Sequence, residues 1–273
     1  MEVKMKIPET MARMVKNEAC EIDEIGMSAS SVMIFHDKVL KIQEYNEEAR
    51  NEYGMMKYLQ GKLPVPGIYA QETEGGKSYL LMEKCQGEMA CSDNYMADPV
   101  TQCRLLAAGM KKMWDMDISD CTFDQSLSHK LAQAEINVKS GLVDLDNVEP
   151  ETFGENGFKD PYDLLEWLCR NRPVEEPVMS HGDYCLPNLF GVGERVTGFI
   201  DLGRSGVGDK WCDIAICFRS LNHNYSGKYQ KKYQEKYQKK ANMVYDEMLL
   251  FRELGIKPDW EKIKYYILLD ELF

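Results

Sequence analysis

The run His181-Gly182-Asp183-Tyr184-Cys185-Leu186-Pro187-Asn188 sets a carboxylate and a side-chain amide five residues apart, and Asp201 follows thirteen residues after Asn188 within Ile200-Asp201-Leu202-Gly203. Phosphoryl transfer from a magnesium nucleotide needs a carboxylate to take or orient the acceptor hydroxyl, and oxygen ligands to hold the metal. Asp183, Asn188 and Asp201 supply that inventory, and Gly182 lets the backbone turn tightly beside the carboxylate. Two other patterns do not carry chemistry. Gly75-Gly76-Lys77-Ser78 has the tail of a phosphate-binding P-loop, but that signature needs a glycine at 71, where Gln71 stands, so the glycine pair is better explained as a hairpin turn. The four histidines, at 36, 129, 181 and 223, form no H-E-x-x-H or comparable metal pair, which leaves a zinc hydrolase little support.

The elements that must position these residues are legible from periodicity. Val196 to Ile200 reads as a strand that delivers Asp201 at its end. Pro8 to Val15 reads as a short helix, and Val32–Phe35 and Val39–Ile42 flank His36-Asp37-Lys38 as a hairpin. Residues 44–59 form a helical pattern whose apolar stripe holds Ala49, Tyr53, Met56 and Leu59, with Glu52 falling inside the stripe. A carboxylate in that position is costly unless paired. Ile68–Thr73 and Ser78–Glu83 read as a second hairpin around the two glycines, after which the pattern turns helical; this order predicts α+β lobes with a boundary near Cys85 to Asp98. Residues 140–157 read as an exposed loop or weak helices, and 226–241 as a lysine- and tyrosine-rich helical extension. The last segment shows Trp260, Ile263, Ile267, Leu268 and Leu272 at helical spacing and ends on an acidic pair, Asp270-Glu271.

A chain of 273 residues, 44% hydrophobic and 29% charged, has room for one large domain or two lobes sharing a cleft. The absence of an apolar leader and of any run near the roughly 18 apolar residues of a membrane span predicts a cytoplasmic protein. Nine cysteines, odd in number and never spaced C-x-x-C, suit reduced thiols, and we expect them to fill the core. Net charge is −12; the stretch 228–240, with six Lys and one Glu, contributes +5 and leaves −17 for the remainder. That balance opposes nucleic-acid binding and favours a cationic substrate.

With these motifs the chain resembles the aminoglycoside phosphotransferases, a family with the eukaryotic-like protein-kinase fold and the patterns H-G-D-x-x-x-x-N and I-D-x-G. The resemblance runs from Gly26-Met27-Ser28 through Leu63-Pro64-Val65-Pro66 and both motifs to Gly255-Ile256-Lys257-Pro258-Asp259-Trp260. The closing stretch, through Tyr265-Tyr266 and Asp270 to Phe273, is especially similar to the 3′-phosphotransferases of enterococci and staphylococci. It implies an α+β, two-lobed protein-kinase-like fold: an N-terminal antiparallel sheet with a helix (1–83, nucleotide-binding), a hinge and linker (84–98), and a larger helical C-terminal lobe (99–273, catalytic and substrate-binding). The implied cofactors are ATP and Mg2+. The implied reaction is transfer of the γ-phosphoryl group to the 3′-hydroxyl of kanamycin- or neomycin-type antibiotics, with resistance as the outcome; for assembly the sequence leaves both a monomer and a weak dimer open.

Residue by residue, the resemblance implies Asp183 as the catalytic base, which also meets the substrate, and Asn188 with Asp201 as magnesium ligands. Lys41 matches the strand lysine on the α- and β-phosphates and Glu52 its helix partner. Met27 and Ser28 match the loop over the nucleotide phosphates, and Glu83 and Cys85 match hinge positions that bond to adenine through the backbone. His181 would support the loop geometry. Asp270, Glu271 and the terminal carboxylate of Phe273 match the substrate-facing C-terminus, and Arg204 and Arg219 match organisers of the acidic pocket. Glu149, Glu151 and Glu155 keep the acidic loop in shifted order, with Glu151 taken as the substrate contact. His223 stands where the relative has an acid, and Val39 where it has an aromatic that stacks on adenine. A kinase acting on a macrolide, choline-like or sugar substrate is an alternative that the acidic terminus disfavours. An inactive nucleotide-binding module is disfavoured by the presence of Lys41, Glu52, Asp183, Asn188 and Asp201 together.

Overall fold

The computed structural model describes residues 7–23, 30–149, 151–226 and 245–273. Met27, Ser28 and nearly all of the lysine- and tyrosine-rich stretch lie outside them.

The first lobe is a five-stranded antiparallel sheet in the order β1-β2-β3-β5-β4, formed by β1 (Glu21–Asp23), β2 (Ser31–Ile34), β3 (Lys38–Glu44), β4 (Ile68–Glu74) and β5 (Lys77–Glu83). Gly75 and Gly76 join β4 to β5 with φ of +61° and +79°, the doubly left-handed turn that a tight hairpin demands and that glycine adopts without strain. Strand alternation sorts the central strands onto two faces. Leu40 and Ile42 pair with Leu81 and Tyr79, and this face is closed by Met11 and Val15 from the segment of α1 (Glu9–Met14). Lys41 pairs with Leu80 on the opposite face, where Leu80 and Met82 meet Met55, Met56 and Leu59 of α2 (Glu47–Leu59). The same period that buries Leu40 therefore turns Lys41 toward α2.

Three local readings need correction. The helical pattern begins at Glu47, because β3 runs through Glu44 and the Asn46 side chain caps the helix by accepting from the Ala49 amide. Met55, fully buried, takes the inward place assigned to Tyr53, which is half-buried. The edge strand β1, only three residues long, carries too little pattern to be seen in advance. The thiols also depart from expectation: all nine cysteines are free, but only Cys103, Cys212 and Cys217 are buried, while Cys20 and Cys169 are exposed.

The second lobe is built on α4 (Pro99–Trp114), whose N-cap Asp98 accepts from the Thr101 amide and whose first turn holds Pro99. Around it stand α3 (Asp93–Met96), α5 (Leu127–Ser140), α6 (Pro161–Arg170), α7 (Lys210–Tyr225), α8 (Leu249–Leu254) and α9 (Trp260–Asp270). Two small sheets complete it: β6 (Glu88–Met89) with β8 (Leu189–Val192) and β9 (Arg195–Phe199), and β7 (Pro177–Ser180) with β10 (Gly206–Asp209). One apolar core crosses both lobes, joining Met55, Leu59 and Met82 to Leu186, Leu189, Phe199 and Leu202.

Candidate functional site

The site lies where the loop after β7 meets the turn after β9. Gly182 adopts φ +80°, and a Cβ there would come within 1.8 Å of the Arg204 carbonyl oxygen, so both the conformation and the space require glycine. The fully buried carboxylate of Asp213, in the first turn of α7, accepts from the Ser180 hydroxyl at 3.0 Å, the His181 amide at 3.0 Å and the Gly182 amide at 2.9 Å. His181 Nε2 donates to the Ile200 carbonyl at 3.0 Å, leaving Nδ1 to accept from the Asp183 amide at 3.4 Å. Burial holds this imidazole below its ordinary range, against the pull of Asp213 and Asp201, so it serves neutral with that tautomer.

Asp183 and Asn188, paired by spacing alone in the sequence, touch. The Asn188 amide nitrogen donates to the Asp183 backbone carbonyl and to its Oδ2, both at 3.0 Å. Burial, reinforced by the charge of Asp201 and opposed by Arg204, pushes the Asp183 carboxyl up to about 6. Asp201 itself sits at φ +60°, a left-handed conformation uncommon outside glycine, at the junction between β9 and a short 3₁₀ turn.

Lys41 joins the two lobes electrostatically. Its ammonium reaches Glu52 Oε1 at 2.9 Å, Glu52 Oε2 at 3.0 Å and Asp201 Oδ1 at 2.8 Å, which engages all three of its donors. Burial opposes the charge of Lys41, but the two carboxylates outweigh it and hold the group above its ordinary range. Burial pushes the Glu52 carboxyl up, while Lys41 and the Gln43 amide, which donates at 2.8 Å, stabilise its charge.

The acidic terminus forms a second cluster. Arg204 donates to Glu48 at 2.8 Å and to Asp270 at 3.3 Å, and its guanidinium lies 4.9 Å from the Phe273 ring centroid. Arg219 bonds to Asp270 and, at 3.2 Å, to Glu271. Burial opposes ionisation of Asp270, yet Arg219 and Arg204 bring its carboxyl below the usual range. Gly182, Arg204, Asp270 and Phe273 line one small cavity, so this cluster abuts the Asp183 loop.

The remaining predicted positions separate. Glu83 is exposed at the end of β5, its amide donating to Gly67 O at 2.7 Å, and the partly buried Cys85 thiol, pushed up to about 12 by burial and by Glu83, packs on Gly198 of β9. Glu151 is exposed, whereas Glu149 joins the cluster: its amide donates to Glu271 Oε2 at 2.8 Å and its carboxylate meets His223 Nε2 at 2.5 Å.

Sequence reasoning missed Asp213, Asn51 and Glu48. Asn51 Nδ2 donates to Gly203 O at 2.9 Å and Ser205 O at 2.8 Å, holding the turn that follows Asp201. Asp213 had a signal, a carboxylate inside the apolar run Trp211 to Phe218, the argument that singled out Glu52. Asn51 and Glu48 had none, because their partners lie more than 150 positions away.

A strand lobe and a helical lobe, clasped by a lysine shared between a helix glutamate and a loop aspartate, define the protein-kinase-like class of phosphotransferases. The model of the phosphotransferase enzyme family matches residues 26–251, and the chain belongs to that family. It is 39% identical to an aminoglycoside 3′-phosphotransferase of Enterococcus faecalis and 38% identical to one of Staphylococcus aureus, in each case over 99% of both chains. A crystal structure of an aminoglycoside-3′-phosphotransferase of type VIII superposes with a TM-score of 0.75 at 25% identity, covering 93% of this chain and 94% of that one. Among the described residues, no helix is long and apolar enough to cross a membrane.

Proposed function

We propose that this chain transfers the γ-phosphoryl group of ATP to the 3′-hydroxyl of kanamycin- and neomycin-type aminoglycosides in the cytoplasm and so confers resistance to them. The observation that carries the reading is the juxtaposition of the acidic terminus with the Asp183 loop through Arg204, which offers anionic partners to a polyamine beside a carboxylate able to work near neutrality.

In this reading Asp183 orients the acceptor hydroxyl and takes its proton. The transition state is loose, so positioning contributes as much as basicity. Asn188 keeps Asp183 Oδ2 in place, and the neutral His181 holds the loop without adding charge. Lys41, fixed by Glu52, turns to the α- and β-phosphates the donor it gives Asp201 in the free protein; Met27 and Ser28 cover them, and the backbone at Glu83 and Cys85 meets adenine. The donor set suits magnesium, a hard cation that takes oxygen ligands. Asn188 spends its amide nitrogen on Asp183 and keeps its oxygen, and the Asp201 carboxylate, two-fifths exposed, has one oxygen on Lys41. When bound there, magnesium neutralises charge on the transferring phosphates. Asp270, Glu271 and the Phe273 carboxylate take substrate ammonium groups, with Arg204 and Arg219 setting the two terminal acids in place. The lobe 1–83 handles nucleotide, 99–273 handles acceptor and chemistry, and 84–98 links them.

Coupled ADP release over an aminoglycoside panel tests this. Kanamycin should turn over and tobramycin, which lacks the 3′-hydroxyl, should hardly do so; equal rates on both would remove the 3′ assignment.

A further inference from the structure

The acidic cluster at the chain end includes a histidine that the proposed activity does not use. His223, one turn after Arg219 on α7, reaches Glu149 at 2.5 Å, with the two side chains only 14% and 29% exposed. Around this pair stand Arg219 on the same helix and Glu271, with Asp270 beside it, from the chain end; the Glu149 amide is held by Glu271. Glu149 also lines a cavity of about 400 Å3 with Val148, Phe153, Lys159, Asp160 and Pro161, within the size range of small-molecule sites. A carboxylate so placed is where an ammonium on the acceptor would seek a partner.

We infer that His223 is a specificity-determining residue: its imidazole ring occupies Glu149 in the free enzyme, and an acceptor ammonium must displace it to bind in the cavity beside that carboxylate. This rests on the aminoglycoside reading above. His223 and an acceptor ammonium compete for the same carboxylate, so removing the imidazole should tighten acceptor binding.

The test compares wild type with His223→Gln, using kanamycin as acceptor. The variant should show a KM for kanamycin about 5- to 10-fold lower than wild type, with kcat and the KM for ATP unchanged. In a Glu149→Gln background, His223→Gln should have no effect on that KM. An unchanged KM, a KM that rises on substitution, or an undiminished effect in the Glu149→Gln background would overturn the inference and leave His223 as a loop staple. Should His223→Gln fail to fold, His223→Asn takes its place. Failure of both enzymes to phosphorylate any aminoglycoside, with nucleotide binding intact, would instead overturn the reading on which the inference rests, and the inference with it.

Discussion

Asp183 meets opposing demands of chemistry and stability. A carboxyl pushed up to about 6 by burial and the neighbouring Asp201 is a competent base at neutral pH, but its ionised form is disfavoured by the fold. Asp183→Asn keeps the side-chain size and one acceptor for Asn188 while removing charge and basicity. Its kcat should fall about 100-fold or more, with calorimetric affinity for ATP nearly unchanged; a folded variant that keeps a tenth of wild-type kcat would sink the assignment. Stability should move the other way. The folded pKa lies above the ordinary 3.8, so ionisation costs stability at pH above about 6, and the cost fades as pH falls toward 4. The variant should therefore gain on the order of 1–2 kcal/mol at pH 8, after allowance for the solvent that reaches this carboxylate. A thermal melt series should show that gain shrinking between pH 7 and pH 5.

At the scale of elements, α7 sets the loop that bears Asp183. Its first-turn Asp213 binds two successive backbone amides and the Ser180 hydroxyl, so the loop conformation is written by a helix that follows it in the chain. Asp213→Asn replaces one acceptor oxygen with a donor and leaves a buried N–H or O–H facing it. An unsatisfied buried group costs about 1–3 kcal/mol. Urea denaturation should register a loss in that range or somewhat more, and kcat should drop at least tenfold because Gly182 and Asp183 shift together. A variant with full kcat would show that the loop holds its shape without this anchor.

At the scale of the molecule, α2 ties the lobes. Two contacts cross to the turn after Asp201, and they should differ in weight. The Glu48–Arg204 ion pair is half exposed on the glutamate side, and such pairs contribute about 0–1 kcal/mol. Asn51, half-buried, satisfies two backbone carbonyls at once. Asn51→Ala should raise the KM for ATP roughly tenfold by loosening Asp201 against Lys41 and should lower Tm by several degrees, while Glu48→Gln should leave Tm within about 2 °C. Steady-state kinetics and melts on the two variants check the contrast; equal effects would mean that charge, rather than carbonyl satisfaction, couples the lobes.

What the amino-acid sequence determined by itself is what depends on short separations. Asp183 and Asn188 share one loop and touch as their spacing requires, Gly75-Gly76 turns its hairpin through local conformational freedom, and Glu52 announced a partner because burying an unpaired carboxylate is costly. Lys41 and Glu52 meet across β3 and α2, the pairing that the family resemblance implied. The tertiary structure alone decided what depends on how distant elements stack. The helix pattern could not tell Met55 from Tyr53, because the 3.6-residue period leaves both near the edge of the apolar stripe and only the facing lobe chooses between them. Cys20 and Cys169 are exposed although free cysteine is commonly buried, since a residue preference yields to position in the fold. Asn51 with Gly203, Glu48 with Arg204 and Glu149 with His223 are pairings across lobes or across a loop and a helix. No periodicity encodes them, because their geometry is set by the close approach of backbones whose separation along the chain carries no information about their separation in space.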